Sequence, residues 1–574
     1  MKVRTLTKNS PIPRKEWITF GLAKSCKTKS DLFKEYKNSK SAEARDNFIA
    51  YRNKLQKLLN KADKEYYSKQ LNDCHGDQKR SRKIFNSILN KNLQRSSLSY
   101  AFKCDNEIIS DCTLVADKFN KYFVHIGKTL TEKIQLSAKT YWEYMSDLPS
   151  NLNSCAFGLT SKFEIINITK KLKNCDSTGF DEIPTNIIKD SIEFIAEPLA
   201  SIINLSISTG IFPEKMKIAK VCPIFKSGEK CEFTNYRPIS VLTNFSKIFE
   251  KIIANRLTSF IEKHNIISSA QFGFRKKHST YMALMKFYDK VSQAIDNNEF
   301  CIGIFIDLSK AFDTVNHEIL LKKLELYGVR GLPNLLIRDY LMNRKQYVQF
   351  NNHTSEMNIV NCGVPQGSIL GPLLFLLYIN DMPLVCKQLL FILFADDTNI
   401  LYSNSDIIQL MNIVNADLAI LSDWFKANML SLNVQKTSFI MFGFKNVPTV
   451  FDSRDFELKI KIQNEEISRV EFTKFLGVII DNKFTWQRHI NYIALKISKS
   501  LAILSKLKYK IPKNCLLTLY YSLVYPHFNY CIIIWGCASQ TLMNKLLILQ
   551  KRAVRIVDKF NHFKCHTDPI LKKN

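Results

Sequence analysis

The sequence predicts an α/β (α+β) chain organised around a buried sheet, and three observations carry that expectation. Continuous apolar runs at residues 301–306 and 389–394 read as strands covered on both faces. Segments of helical period alternate with them, as at Val414, Leu418, Leu421 and Phe425. Each apolar run ends on acid, Asp307 after the first and Asp396-Asp397 after the second. With 574 residues and 46% hydrophobic content, the chain has enough apolar surface for several cores and is not disordered overall.

In chain order, residues 1–150 are rich in Lys, Asn and Ser. Helical spacing from Asp31 to Leu71, through Phe48, Tyr51, Leu55, Leu58 and Leu59, predicts a basic, mostly helical arm or linker. The Pro/Ser/Asn stretch from Asp147 to Ser154 marks a boundary. A second domain is expected over 151–482 and a basic helical one over 483–574. The turn cluster 176–184 leads into a helix from about Thr185, with Pro184 near its first turn. A strand over Ile218 to Phe225, a turn over 226–230 and a return through 235–240 make a hairpin carrying Lys226 and Arg237. Residues 271–275 precede a helix capped near Ser279 or Thr280. A helix from about Asn316 to Tyr327 buries Ile319, Leu320 and Leu324 and stops at Gly328. Another helix starts at Pro333, and strands are expected over 346–350 and 357–361. The glycine-rich turn 363–368 permits close backbone approach to a ligand, with Gln366 able to hydrogen-bond a base or sugar edge.

Farther on, Trp424 is expected in the core, and 475–480 with 484–486 read as a hairpin around Asp481-Asn482. The following helix has two faces: Ile493, Ala494, Ile497, Leu501 and Leu504 on one, Lys496, Lys499, Lys506 and Lys510 on the other. After Pro512 an apolar helical region spans 516–534, and a basic run follows at 551–555.

The net charge of +30 sits at the ends. Residues 1–100 hold 24 Lys and Arg against 9 Asp and Glu, and residues 483–574 hold 16 against 2, leaving the middle near neutral. Basic ends around an acid-bearing centre suit an enzyme that binds a polyanion, although solvated surface lysines account for part of the excess. The fifteen cysteines include no Cys-x-x-Cys pair, and Cys565-His566 with His562 is too sparse for a metal site. No run of 18 apolar residues and no leader pattern appears, so an intracellular protein is expected.

The carboxylates carry the chemistry. Adjacent Asp396 and Asp397 repel one another, an arrangement that a divalent cation relieves. With Asp307 they can hold two Mg2+ ions about 3.5 to 4 Å apart, as in two-metal phosphoryl transfer. Lys226 and Arg237 are suited to a triphosphate, though paired cations in a hairpin are often plain surface.

The ordered motifs NYRPISVL, QFGFRKKHST, FIDLSKAFDTVNH, GVPQGSILGPLLF, FADD and FLGV resemble those of reverse transcriptases from non-LTR, LINE-type retrotransposons, most closely the jockey-like group. The resemblance covers about residues 160–555, and the 16–38 segment also looks like the piece joining endonuclease to polymerase there. It implies a right-hand polymerase fold with fingers, palm and thumb, preceded by the basic arm. It also implies an RNA template, a DNA primer or target DNA, deoxynucleotide triphosphates and two Mg2+ ions, with Mn2+ as a substitute. Asp307, Asp396 and Asp397, with the Leu308 backbone, would hold the metals. Lys226, Arg237, Phe312 and Gln366 would contact the nucleotide, and Phe312 is either a gate against ribose or an ordinary core ring. Arg275, Gly367, the primer-grip residues Phe475, Leu476 and Gly477, and the thumb lysines Lys496, Lys499 and Lys506 would contact template or primer. The same resemblance makes a copy without its endonuclease expected, working in nucleus or cytoplasm as a ribonucleoprotein. A silent nucleic-acid binder is the alternative, and a viral RNA-dependent RNA polymerase is disfavoured by Phe312 and the FADD motif.

Overall fold

The computed structural model describes residues 16–74, 78–89, 101–104, 107–146, 151–175, 177–443, 459–463 and 465–559. Cys565, His566 and His562, the first turn residue Asp176 and part of the boundary at 147–154 lie outside them. The chain divides into two compact units, residues 1–97 with 485–574, and residues 98–484.

In the larger unit, the apolar runs become the centre of a five-stranded sheet. Its order is Ser468–Arg469, Ser438–Phe442, Phe300–Ile306, Asp397–Asn404, Leu390–Phe394. All neighbours are antiparallel except the first pair. Thr398 pairs with Ile306 and Ile400 with Ile304, so these side chains share a face that enters the main core. The opposite face meets the helix Thr280–Asp296, where Phe287 lies 5.9 Å from both Phe305 and Phe442 between ring centroids. Ser279 caps that helix by accepting the Met282 N–H, as expected. Beneath the core face runs Ile407–Ala427, with Val414, Leu418, Leu421 and Phe425 all buried. Trp424 is in the core, its Nε1 donating to Asp381 at 2.9 Å.

A second sheet orders Tyr236–Val241, Ile218–Phe225, Arg344–Phe350 and His353–Thr354, with Asn358–Val360 also paired to Arg344–Phe350. The Lys226/Arg237 hairpin is therefore real, with Ile224 opposite Arg237 and the Lys226 N–H donating to the Asn235 carbonyl. Helices follow the expected starts and stops: Thr185–Thr209 after Pro184, His317–Leu326 capped by Asn316, and Leu332–Leu341 with Pro333 in its first turn.

Two expectations need correcting. Residues 98–146 group with the larger unit, where the helix Cys112–Glu132 packs Val115, Phe119 and Phe123 against Val221, Tyr236 and Val348 of the second sheet. An amphipathic helix that buries three large apolar side chains there cannot be a solvated arm. The hairpin near residue 480 also turns earlier, pairing Phe472–Phe475 with Val478–Asp481 around Leu476-Gly477 rather than Asp481-Asn482. Both turn residues have positive φ, +45° and +88°, the demand of a two-residue hairpin turn that Gly477 meets readily.

The smaller unit is helical. The amino-terminal helices are Phe20–Ser39 and Ala42–Asn72, broken at Lys40 in the left-handed region. In Gln487–Leu507, the five apolar positions expected inside are buried, and Lys496, Lys499 and Lys506 are exposed. Lys510 instead pairs with Asp63 at 3.4 Å. The apolar region 516–534 is not one helix but falls within three short ones, Lys513–Leu523, Tyr525–Asn529 and Ile532–Trp535. Pro526 and a left-handed Cys531 interrupt it.

Candidate active site

The strand register sets the site. Because Thr398 faces Ile306, the residues one step beyond are Asp397 and Asp307, brought to the same end of the central sheet. Asp396 occupies the tight turn between Phe394 and Asp397, after Ala395 at φ +57°. The Asp307 main chain is fixed on the other side: its N–H donates to Thr437 Oγ1 at 3.3 Å and its carbonyl accepts the Asn433 N–H at 2.9 Å. Leu308 forms a bridge to Leu432, whose flanking bonds use Asp307 and Ser309.

Asp396 and Asp397 reach solvent, yet protein surrounds them closely enough to weaken their hydration. Burial, then repulsion from Asp396 and Asp307, pushes Asp397 up to about 6. Asp396 is also raised, by burial and by Asp307, against the opposing pull of Arg237 and Lys226. The exposed Lys226 and Arg237 thus act on the carboxylate they were expected to work beside.

Among the described residues, no three Asp, Glu, His or Cys side chains are already arranged as a metal cage. The donor chemistry nevertheless fits a hard divalent cation: three carboxylates share one sheet end, and two are held above their ordinary pKa partly by a neighbouring carboxylate, Asp396 by Asp307 and Asp397 by both. A cation would remove that repulsion.

The loops around this end turn several of their polar side chains inward. Gln366 donates Nε2 to both oxygens of Asp313, at 2.9 and 3.0 Å, so this amide nitrogen is engaged with protein. The Gln366 main-chain carbonyl accepts the Ser240 N–H at 2.7 Å. Gly367 is needed beside it: φ is +114°, and a Cβ would stand 2.7 Å from the Ser240 carbonyl oxygen. Arg275 is partly buried in the loop that precedes the helix Thr280–Asp296. Its Nη1 donates to the main-chain carbonyls of Ser268 and Gln271, at 2.9 and 3.0 Å, bracing its own loop. Phe312 is half-buried and stacks on Phe375 at 4.6 Å. Phe475 is buried against Phe287 and Phe305, so it anchors its hairpin, and the turn Leu476-Gly477 is the part left toward solvent.

Sequence reasoning missed Lys310 and Asp313. Lys310 Nζ donates to the Tyr236 carbonyl at 3.2 Å and lies over the Tyr122 ring at 5.7 Å. Burial lowers its pKa, and Lys226, Arg237 and Lys436 lower it further, against Asp313. Four cations therefore share one field beside the acids. Asp313 is pushed up to about 6 by burial, against the Gln366 bond and Lys310. Both stand in the FIDLSKAFDTVNH segment, where a charged pair within an otherwise apolar motif was the available signal.

The family described as reverse transcriptase (RNA-dependent DNA polymerase) matches residues 224–480. The chain is 30% identical over 416 residues to the probable RNA-directed DNA polymerase from transposon BS of Drosophila melanogaster, covering 69% of this chain and 44% of that protein. It is 28% identical over 405 residues to the RNA-directed DNA polymerase from mobile element jockey of the same species, covering 68% and 43%. The probable RNA-directed DNA polymerase from transposon X-element of that species is 29% identical over 407 residues, covering 69% and 43%. The chain spans less than half the length of these curated relatives.

Proposed function

From the premise that the chain carries a reverse transcriptase domain at residues 224–480, similar to those of non-LTR retrotransposons, we propose that it is an RNA-directed DNA polymerase. It extends a DNA primer on an RNA template with deoxynucleotide triphosphates. The observation that carries this reading is the gathering of Asp307, Asp396 and Asp397 at one sheet end, within the field of Lys226 and Arg237. Acids for metal and cations for triphosphate, side by side, are what nucleotidyl transfer needs.

The central sheet is the palm, the sheet with Lys226 and Arg237 belongs to the fingers, and the helices of 485–557 form the thumb. Asp307, Asp396 and Asp397 would hold Mg2+, with the Leu308 carbonyl as a further donor. When bound, Mg2+ supplies activation of the primer hydroxyl and charge stabilisation on the departing pyrophosphate. Lys226 and Arg237 hold the triphosphate, and Lys310 adds a third cation there. Phe312, kept in place by Phe375, closes the space beside the sugar and admits deoxyribose. Gln366, oriented by Asp313, presents its carbonyl side to the nucleotide. Leu476-Gly477 touches the primer strand. Lys496, Lys499 and Lys506 contact phosphates without reading sequence.

Extension of oligo(dT) on poly(rA) with dTTP and Mg2+ tests this reading. Product that disappears when the metal is chelated is expected; a folded protein that binds the duplex and adds no nucleotide would refute it.

A further inference from the structure

Gln271 opens the QFGFR segment, and the polymerase reading gives this glutamine no role. This segment runs along the outer edge strand Leu390–Phe394. The Phe272 N–H donates to the Leu393 carbonyl at 2.8 Å, and the Leu393 N–H donates to the Ala270 carbonyl at 2.9 Å. Gln271 lies between them in a parallel bridge to Leu393. Its side chain is 2% exposed, and Oε1 accepts two backbone N–H groups, Gly273 at 2.8 Å and Ala395 at 3.0 Å.

The second of these bonds reaches the turn that carries Asp396. Ala395 has φ +57°, a region that residues with a Cβ seldom occupy unless their surroundings impose it. Two features of the segment do so. Gln271 holds the Ala395 amide, and Gly273 presses so close that a Cβ on it would lie 2.4 Å from the Ala395 nitrogen. Arg275 fixes the support itself by donating to the Gln271 carbonyl. Gln271 also leaves its Nε2 buried with no hydrogen-bond partner, an unfavourable arrangement that persists with both acceptor bonds made.

We propose that Gln271 is a positioning residue: its Oε1 holds the Ala395 amide so that the turn presents Asp396 to the metal site. The proposal rests on the reading of Asp396 as a metal ligand, but the brace can be measured apart from catalysis. In the full chain, Gln271→Met removes the acceptor at similar size, and Gly273→Ala displaces the same amide from the other contact. Hydrogen exchange of the segment containing Ala395 is expected to accelerate at least about tenfold in each variant, because a local bond that protects the amide is lost. Mn2+, observed by electron paramagnetic resonance, is expected to bind several-fold more weakly in each. In primer extension, kcat should fall about tenfold while the dTTP KM and the duplex Kd stay within about twofold, the pattern of a misplaced reacting group. If Gln271→Met does not fold, Gln271→Asn, one methylene shorter, is measured with the same criteria. Unchanged exchange at Ala395, or faster exchange with Mn2+ affinity and kcat unchanged, would overturn the proposal. Absence of extension by the unaltered protein would instead refute the polymerase reading, while exchange and Mn2+ binding still decide the brace.

Discussion

The hairpin that carries Asp396 and the hairpin that turns at Leu476-Gly477 both close through two residues, but they are stabilised from different directions. The second has local turn chemistry on its side, with two left-handed residues of which one is glycine. Its tertiary anchor is the buried Phe475 ring. The first has alanine at φ +57° followed by two acids, a combination that neither turn propensity nor electrostatics favours. It is held by Gln271, by the close approach of Gly273, and by strands buried on both sides. Strain and like charge are concentrated where chemistry is proposed, and the neighbouring segments supply the stability that the turn lacks. A hairpin that only guides a strand can be locally self-sufficient.

This contrast predicts effects of graded size. The largest belongs to the acid end: Asp307→Asn should lower extension by at least about a thousandfold, since a lost metal ligand removes charge stabilisation from every transition state. Activity within tenfold of the unaltered protein would place the reacting centre elsewhere. Next comes pH. Asp397 ionises near 6, so extension at low Mg2+ should fall as pH drops through that value. Raising Mg2+ should move the midpoint lower because proton and cation compete for the same oxygens. In metal-free protein the sign for stability is opposite: a carboxylate raised on folding binds more protons in the folded state, so its contribution grows as pH falls from roughly 6 to 4. An activity midpoint indifferent to Mg2+ would break the link between these carboxylates and the metal.

Phe312→Ala should raise ribonucleotide use relative to deoxynucleotide by at least about tenfold, or ~1.4 kcal/mol, with deoxynucleotide extension retained. Parallel loss of both activities would reduce Phe312 to its stack on Phe375. The smallest effect is expected at the self-sufficient hairpin. Gly477→Ala places a Cβ at φ +88° and should cost about 1 kcal/mol locally, weakening primer binding about fivefold. A loss as large as that of Asp307→Asn would erase the distinction between the two hairpins.

The same contrast explains what the sequence made legible. The Asp hairpin announced itself because apolar strands and paired acids are both compositional signals, and the strand register then brought Asp307 beside them. The other hairpin was misplaced because Asp481-Asn482 has stronger turn composition than Leu-Gly, although Gly477 was the informative residue. The inward bonds of Gln366 to Asp313 and of Gln271 to Ala395 join positions 53 and 124 apart. No local pattern states which way an amide points. Arg275 shows the same gap: no local pattern states that its guanidinium holds two main-chain carbonyls of its own loop. The segment 112–132 was taken as part of an arm because residues 1–150 as a whole are rich in Lys, Asn and Ser, while its own apolar stripe meets a sheet whose first strand begins only at Ile218.

The most direct test of the central claim compares the unaltered chain with Asp396→Asn, in one preparation series, for both duplex binding and extension on poly(rA) with oligo(dT). Removing one carboxylate from the metal site and no cation from the nucleic-acid surface should abolish extension and leave the duplex Kd within about twofold. Extension by Asp396→Asn close to that of the unaltered chain would contradict the assignment of the acid turn as the reacting centre.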